Sequence, residues 1–318
     1  MATAYISHPE CLKHRMNPYH PERPERLRAV EDALIEGGLM EWLRPYTASE
    51  VTQEQLLRVH DADYIERLRS LSPSSGLVAL DEDTALGPHT LPAAEVAAGA
   101  AVLATDLVMR GEVDNAFCAV RPPGHHAERD RAMGFCFFNN AAIGVAHALA
   151  LHGLSRVAVV DFDVHHGNGT ERIFRNEKRV LLLSSYQHPF YPYTEIDPDQ
   201  SNVVRAPLGA GSGSAEFRGA VADLVLPALD AFRPEMIFIS AGFDAHGEDD
   251  MSELYLTDDD YGWITSEVMG AANRHASGRV VSVLEGGYDL SSLGRSVAMH
   301  IRGLMGLNQT GWRGKPTM

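Results

Sequence analysis

Residues 156–170 read RVAVVDFDVHHGNGT: a short apolar run passes directly into Asp161, Asp163, His165 and His166. A run of this length, continuous rather than alternating, is the pattern of a strand covered on both faces, as in a parallel sheet. Similar runs recur at NAFCAV (115–120), VLLLSSY (180–186), MIFISAG (236–242) and RVVSVLEGG (279–287), and a weaker one opens the chain at TAYI. Helical spacing fills the intervals at residues 92–109, 140–151 and 215–232, and Thr257 followed by Asp260 is a capping-box start for another helix. Strands alternating with helices predict right-handed crossovers and a doubly wound α/β sheet. With no repeat and no long linker, residues 1–318 read as one domain, with long loops at 73–92 and 186–214.

Parallel sheets collect ligands at the carboxyl ends of their strands. Three other runs also end in polar clusters: NAFCAV in RPPGHHAE (121–128), MIFISAG in Phe243-Asp244-Ala245-His246, and RVVSVL in Glu285-Gly-Gly-Tyr-Asp289. In Asp163-Val-His165 the two side chains are two residues apart, so an extended chain aims them the same way. With Asp244 they make a set of two carboxylates and one imidazole, which leaves a metal position open as in a catalytic zinc site. Oxygen-rich donors also accept other divalent ions. Taken alone, the run also fits a solvated loop or a buried ion pair as the less favoured reading; Asp244 in register favours the metal further. His125 and His126, adjacent in a Pro-Pro-Gly turn, are suited to moving protons near neutrality. Asp161 is suited to orienting one of them. Tyr288 either donates to a developing oxyanion or is a surface aromatic beside a glycine turn.

The remaining features are bland. Forty-five per cent of residues are hydrophobic, and the net charge of -16 argues against a nucleic-acid partner. Cys11, Cys118 and Cys136 form no CxxC pair, and Cys136 reads as a packed small residue. No secretory leader and no apolar stretch of membrane-spanning length is expected, and a cytoplasmic location follows. The segment GAGSGS (209–214) reads as a flexible connector that follows no buried strand.

Taken in order, HPERPERL (20–27), RPPGHHA, GFCFFNN, DFDVHHGNGT, SAGFDAH and EGGYDL resemble the zinc-dependent histone deacetylase superfamily over about residues 8–290. HHGNG, with Asn168, is similar to the class II branch and to bacterial deacetylase-like amidohydrolases and acetylpolyamine amidohydrolases. The resemblance implies an arginase-like α/β domain with a mostly parallel sheet of about eight strands, helices on both faces, and a peripheral tail from about residue 307. It implies one zinc on Asp163, His165 and Asp244, His126 as general base and then acid, and His125 as an electrostatic partner. Asp161 then orients His125, Asn168 bonds His126, and Tyr288 polarises the acyl carbonyl. Phe135 and Tyr191 match the aromatic pair of the acyl tunnel, although the family usually has Phe at the second position. Met251 matches the gate, Gly134, Gly286 and Asp83 the tunnel and rim, and Arg26 a residue beside an acetate exit. A potassium site is implied at Asp161, Asp163, His165, Ser184 and Ser185.

The implied reaction removes an acetyl or other short acyl group from an acylated amine. Met251 favours acyl-lysine in peptides or proteins, whereas Glu248, Asp249 and Asp250 nearby pull toward acetylpolyamines. Rival readings are a two-manganese arginase-type hydrolase and a metal-binding protein without turnover. No membrane partner is expected, and nothing indicates an oligomer.

Overall fold

The computed structural model describes residues 1–194 and 200–307; the expected tail thus lies almost wholly outside the described residues. Its strands are β1 Thr3–Ser7, β2 Arg44–Thr47, β3 Val78–Ala79, β4 Ala85–Leu86, β5 Asn115–Cys118, β6 Val157–Asp161, β7 Val180–Gln187, β8 Val203–Leu208, β9 Met236–Ala241 and β10 Val280–Leu284. Eight of them form one sheet in the order β2-β1-β5-β10-β9-β6-β7-β8, with every neighbouring pair parallel. The short β3 and β4 pair antiparallel inside the long 73–92 loop. Strands β5, β6, β7, β9 and β10 are buried at every residue, which is why their sequences show continuous apolar runs.

The two edge strands had no such signal. β2 reads RPYT and is largely exposed, and β8 reads VVRAPL and is partly exposed. An edge strand hydrogen-bonds on one side only, so Pro45 and Pro207 are tolerated there. β8 lies inside the loop expected over 186–214, so residues 209–214 follow a strand, but a partly exposed edge strand and not a buried one. They end in a helix start, where the Gly213 amide donates to Glu216 Oε2 at 3.0 Å.

The helices are α1 Glu25–Glu36, α2 Gln53–Leu57, α3 Ala62–Leu71, α4 Thr90–Met109, α5 Asn140–Leu151, α6 Asn168–Phe174, α7 Ser214–Ala220, α8 Leu226–Phe232, α9 Asp258–His275 and α10 Leu290–Leu304. α4 packs against α5, while α9 packs against α10 and α10 against α1. The helix expected over 215–232 is interrupted by a wide turn at Val221–Val225. Pro227 explains it, because a proline cannot donate the i to i−4 bond and displaces the carbonyl it would have used. α9 starts as expected, with Thr257 and Asp260 in a reciprocal capping box. α4 corrects the expectation about membrane-length segments: it is 20 residues long with a mean hydropathy of 1.5 in its most apolar window. Alanines supply that hydropathy, and 78% of the window is buried inside the fold as a core helix.

Close packing of α4 rests on Gly99. A Cβ there would lie 1.7 Å from the Ser49 carbonyl oxygen, backbone that cannot swing away. Gly99→Ala is expected to lower stability by about 1–3 kcal/mol. A fall in the urea midpoint at unchanged slope checks this.

Candidate active site

The four polar strand ends come from β5, β10, β9 and β6, which are consecutive in the sheet. Their loops are therefore neighbours at its centre, and each delivers part of one site.

Asp163, His165 and Asp244 converge, all buried, with one ligand atom from each within 4.8 Å of the others. The route differs from the extended geometry expected of Asp163-Val-His165. β6 ends at Asp161, and the chain then turns so that both the amide and Nδ1 of His165 meet Asp163 Oδ1, at 2.9 and 3.0 Å. His165 Nδ1 also lies 3.3 Å from Asp244 Oδ2. Ligands about 2.0–2.1 Å from a tetrahedral zinc sit roughly 3.3 Å apart, so this spacing fits a shared ion. Asp244 Oδ1 accepts from the Val164 amide at 3.0 Å, and Asp163 Oδ2 from the Gly286 amide at 2.9 Å. Asp244 Oδ2 makes no hydrogen bond although buried. An unsatisfied buried carboxylate oxygen is costly, and a cation is the partner its chemistry calls for.

Two glycines admit this crowding. A Cβ on Gly286 would lie 2.0 Å from Asp244 Oδ2, and one on Gly242 would lie 2.1 Å from Asp163 Oδ2. The electrostatics match. Burial, and then the Asp163 charge, push Asp244 up to about 6. Burial opposes the charged form of His165, but its hydrogen bond to Asp163 and the Asp244 carboxylate beside it outweigh that and raise the ring to about 9. Two carboxylates thus compete for whatever positive charge the site holds.

The tandem histidines are held in different states. Asn168 Nδ2 donates to Glu128 Oε1 at 3.0 Å, which fixes the amide and leaves Asn168 Oδ1 as acceptor for His126 Nδ1 at 2.7 Å. His126 therefore carries its proton on Nδ1 and presents Nε2 as a lone pair. Burial, and then repulsion from His125 and His165, hold it well below the ordinary histidine range. His125 Nδ1 meets Asp161 Oδ2 at 3.0 Å. Burial opposes its charge too, but Asp163 and Asp161 outweigh that effect and hold it well above the ordinary range. The surroundings thus disfavour a proton on His126 and favour one on His125.

The substrate space is a cavity of about 320 Å³ lined by His126, His165, Phe135, Tyr191, Met251 and Tyr288, with Asp83 and Gly134 also on its wall. Phe190 lines it as well, stacked on His165 at 5.4 Å between ring centroids. Phe190, immediately before Tyr191, is an aromatic wall residue that the resemblance does not point to. Asp83 is exposed at the rim. Gly134 has φ 55°, and a Cβ there would lie 2.5 Å from the His126 ring.

Behind the cavity, Arg26 is fully buried. It donates to the carbonyls of Glu285 and Gly287 at 2.5 Å each and pairs with Glu22. Its guanidinium carbon sits 4.8 Å over the Tyr288 ring. Glu22 also grips Arg121 through Nε and Nη2. HPERPERL thus braces the Tyr288 loop from below. Glu285 Oε2 accepts the amides of Gly124 and His125, joining the EGGY turn to the tandem-histidine turn.

Of the residues matched to a potassium site, Asp161 and Ser184 are register partners across β6 and β7, with Ser185 next along β7. Ser184 Oγ meets His166 Nδ1 at 2.9 Å, and His166 Nε2 meets Glu171 at 2.7 Å, so His166 turns toward β7 and α6. A second cluster, Asp106, His147 and His152, lies where α4 and α5 end. There Arg58, which can only donate, contacts His147 Nδ1 at 3.2 Å. His147 Nε2 must then carry the proton that meets Asp106 at 2.9 Å, so this neutral ring is a hydrogen-bond donor to the carboxylate and not a metal ligand.

A parallel sheet with a ligand trio, a neutral histidine base and a phenol at its central strand ends is the frame of a deacetylase-type amide hydrolase. The chain belongs to that family, for residues 20–304 match the histone deacetylase domain. It is 40% identical over 310 residues to a histone deacetylase-like amidohydrolase of Pseudomonas aeruginosa, covering 90% of this chain and 81% of that protein. It is 37% identical over 331 residues to polyamine deacetylase HDAC10 of Homo sapiens, covering 96% of this chain and 48% of that protein. The crystal structure of the HDA15 HD domain superposes with a TM-score of 0.89 at 34% identity, covering 96% of this chain and 88% of that one.

Gly286→Ala places a methyl group against both carboxylates. Divalent-metal affinity is expected to fall at least about 10-fold, measured as metal retained per chain after dialysis, with the circular dichroism spectrum unchanged.

Proposed function

We propose that the protein is a zinc-dependent deacylase that removes acetyl or another short acyl group from acylated lysine in peptides or proteins. The observation that carries the chemistry is the neutral, lone-pair-bearing His126 packed edge-on against His165, their ring centroids 5.7 Å apart. A divalent ion held by Asp163, His165 and Asp244 supplies Lewis-acid polarisation and acidifies water. His126 Nε2 takes the proton from the attacking water and returns it to the departing amine. His125, on which Asp163 and Asp161 favour a proton, offsets the negative charge that develops. Burial, opposed by the nearby Arg26 charge, holds Tyr288 well above the ordinary tyrosine range, so it stays a neutral donor for the carbonyl oxygen. Potassium, at the positions given above, would stiffen the loop that carries Asp163 and His165.

The substrate follows from the cavity mouth. Met251 lies on the wall, offering an apolar surface to the methylene stem of an acylated side chain. Of the acidic neighbours read as a gate charge, Asp249 is 4% exposed and turned inward, and Glu248 pairs with Arg295 at 2.9 Å. Asp250, exposed next to Met251, is the carboxylate left for a distal ammonium to meet, so the peptide reading rests on the apolar Met251 wall. Asp83 at the rim suits the amides of a peptide backbone.

Two outcomes are expected. Tyr288→Phe should lower kcat about 10²–10³-fold with KM little changed, and near-full activity in the folded variant removes Tyr288 from the mechanism. Acetyl-lysine peptide should exceed acetylputrescine and acetylspermidine in kcat/KM. A strong preference for the polyamines overturns the substrate assignment.

A further inference from the structure

The loop after β9 carries Asp244 and reaches the cavity wall at Met251. Between them, the Asp249 carboxylate is bound by three backbone amides. Oδ2 accepts from Tyr288 at 2.6 Å and Asp289 at 3.0 Å, and Oδ1 accepts from Met251 at 3.0 Å. Ser252 Oγ then donates back to the Asp244 carbonyl at 2.9 Å, closing the loop on itself. One buried carboxylate therefore spans two strand ends, tying the gate residue to the turn that carries the phenol.

That turn is gripped from both sides. Arg26 takes the carbonyls of Glu285 and Gly287, whereas Asp249 takes the next two amides. Asp289 goes on to cap α10, its Oδ1 accepting the Ser292 amide at 2.8 Å. Gly287 between the grips has φ 116°, a conformation held by what surrounds it. A phenol sits far from its backbone, so a slight tilt of the turn displaces the hydroxyl by a large fraction of a hydrogen bond. Misplacement of about 1 Å can cost on the order of 10²-fold in rate.

We infer that Asp249 is a positioning residue, which acts through Tyr288 by holding its backbone in register with the Met251 wall. This rests on the role proposed for Tyr288. Asp249→Asn keeps size but turns an N–H donor against backbone donors, so at least one of the three bonds is lost.

The experiment measures Asp249→Asn, Tyr288→Phe and the double variant on acetyl-lysine and trifluoroacetyl-lysine peptides, with metal content. It also compares hydrogen–deuterium exchange at residues 286–290. A trifluoroacetyl carbonyl is already electrophilic and depends less on a donor. Asp249→Asn should lower kcat on acetyl-lysine about 10–100-fold, with metal content unchanged. Its trifluoroacetyl-to-acetyl ratio should rise as in Tyr288→Phe, and in the Tyr288→Phe background it should add less than about threefold, by the non-additivity of residues acting as a unit. Exchange at 286–290 should quicken. Multiplicative losses in the double variant, an unchanged ratio, or unchanged exchange each reject the inference. If the wild type hydrolyses neither peptide, the proposed function fails, and the exchange comparison still decides whether Asp249 holds the turn. Should Asp249→Asn not fold, Asp249→Glu is judged by the same criteria.

Discussion

Two carboxylates and an imidazole are buried within 4.8 Å of one another at the centre of the sheet. Removing an ion from water costs several kcal/mol even after relaxation, and like charges at this range add to that. The arrangement is stable only if positive charge is shared among Asp163, His165 and Asp244. Much of the surrounding structure serves that need. Amides of Val164 and Gly286 are aimed at carboxylate oxygens, and Gly242 and Gly286 give up side chains so that the oxygens fit. Such a site is poised for a divalent cation and unsuited to anything uncharged.

The same field sorts the two neighbouring histidines. They are adjacent in sequence, their ring centroids 4.0 Å apart, yet Asp161 favours a proton on one ring while Asn168 can only accept from the other. A carboxylate and an amide of similar shape thus favour opposite protonation of two adjacent rings. Pairs of titratable groups pushed apart in this way are how one site runs acid and base chemistry together.

Much of this was legible in the sequence because buried parallel strands advertise themselves. Strands β5, β6, β9 and β10 are buried throughout and mostly apolar, and each leads into a polar cluster, so the site and the core share one signal. β2 and β8 were not legible, since an edge strand carries prolines and charges like a loop. Proximity of Asp163 and His165 was expected, but through an extended chain, whereas a turn beyond β6 produces it. Pro227 breaks the helix expected over 215–232, because helical spacing of side chains says nothing of a lost backbone donor. Asp249 looked like a gate charge because a sequence lists carboxylates without saying which way they face. Its partners are backbone amides of a distant loop, and amides leave no trace in residue identity.

The account stands or falls on a single shared ion. Metal is stripped from the protein with a chelator, zinc is returned in substoichiometric steps, and hydrolysis of an acetyl-lysine peptide is followed at each step. The predicted result is no turnover without metal and a linear recovery that breaks at one zinc per chain. Turnover by the stripped protein, or a break at two ions per chain, would contradict it.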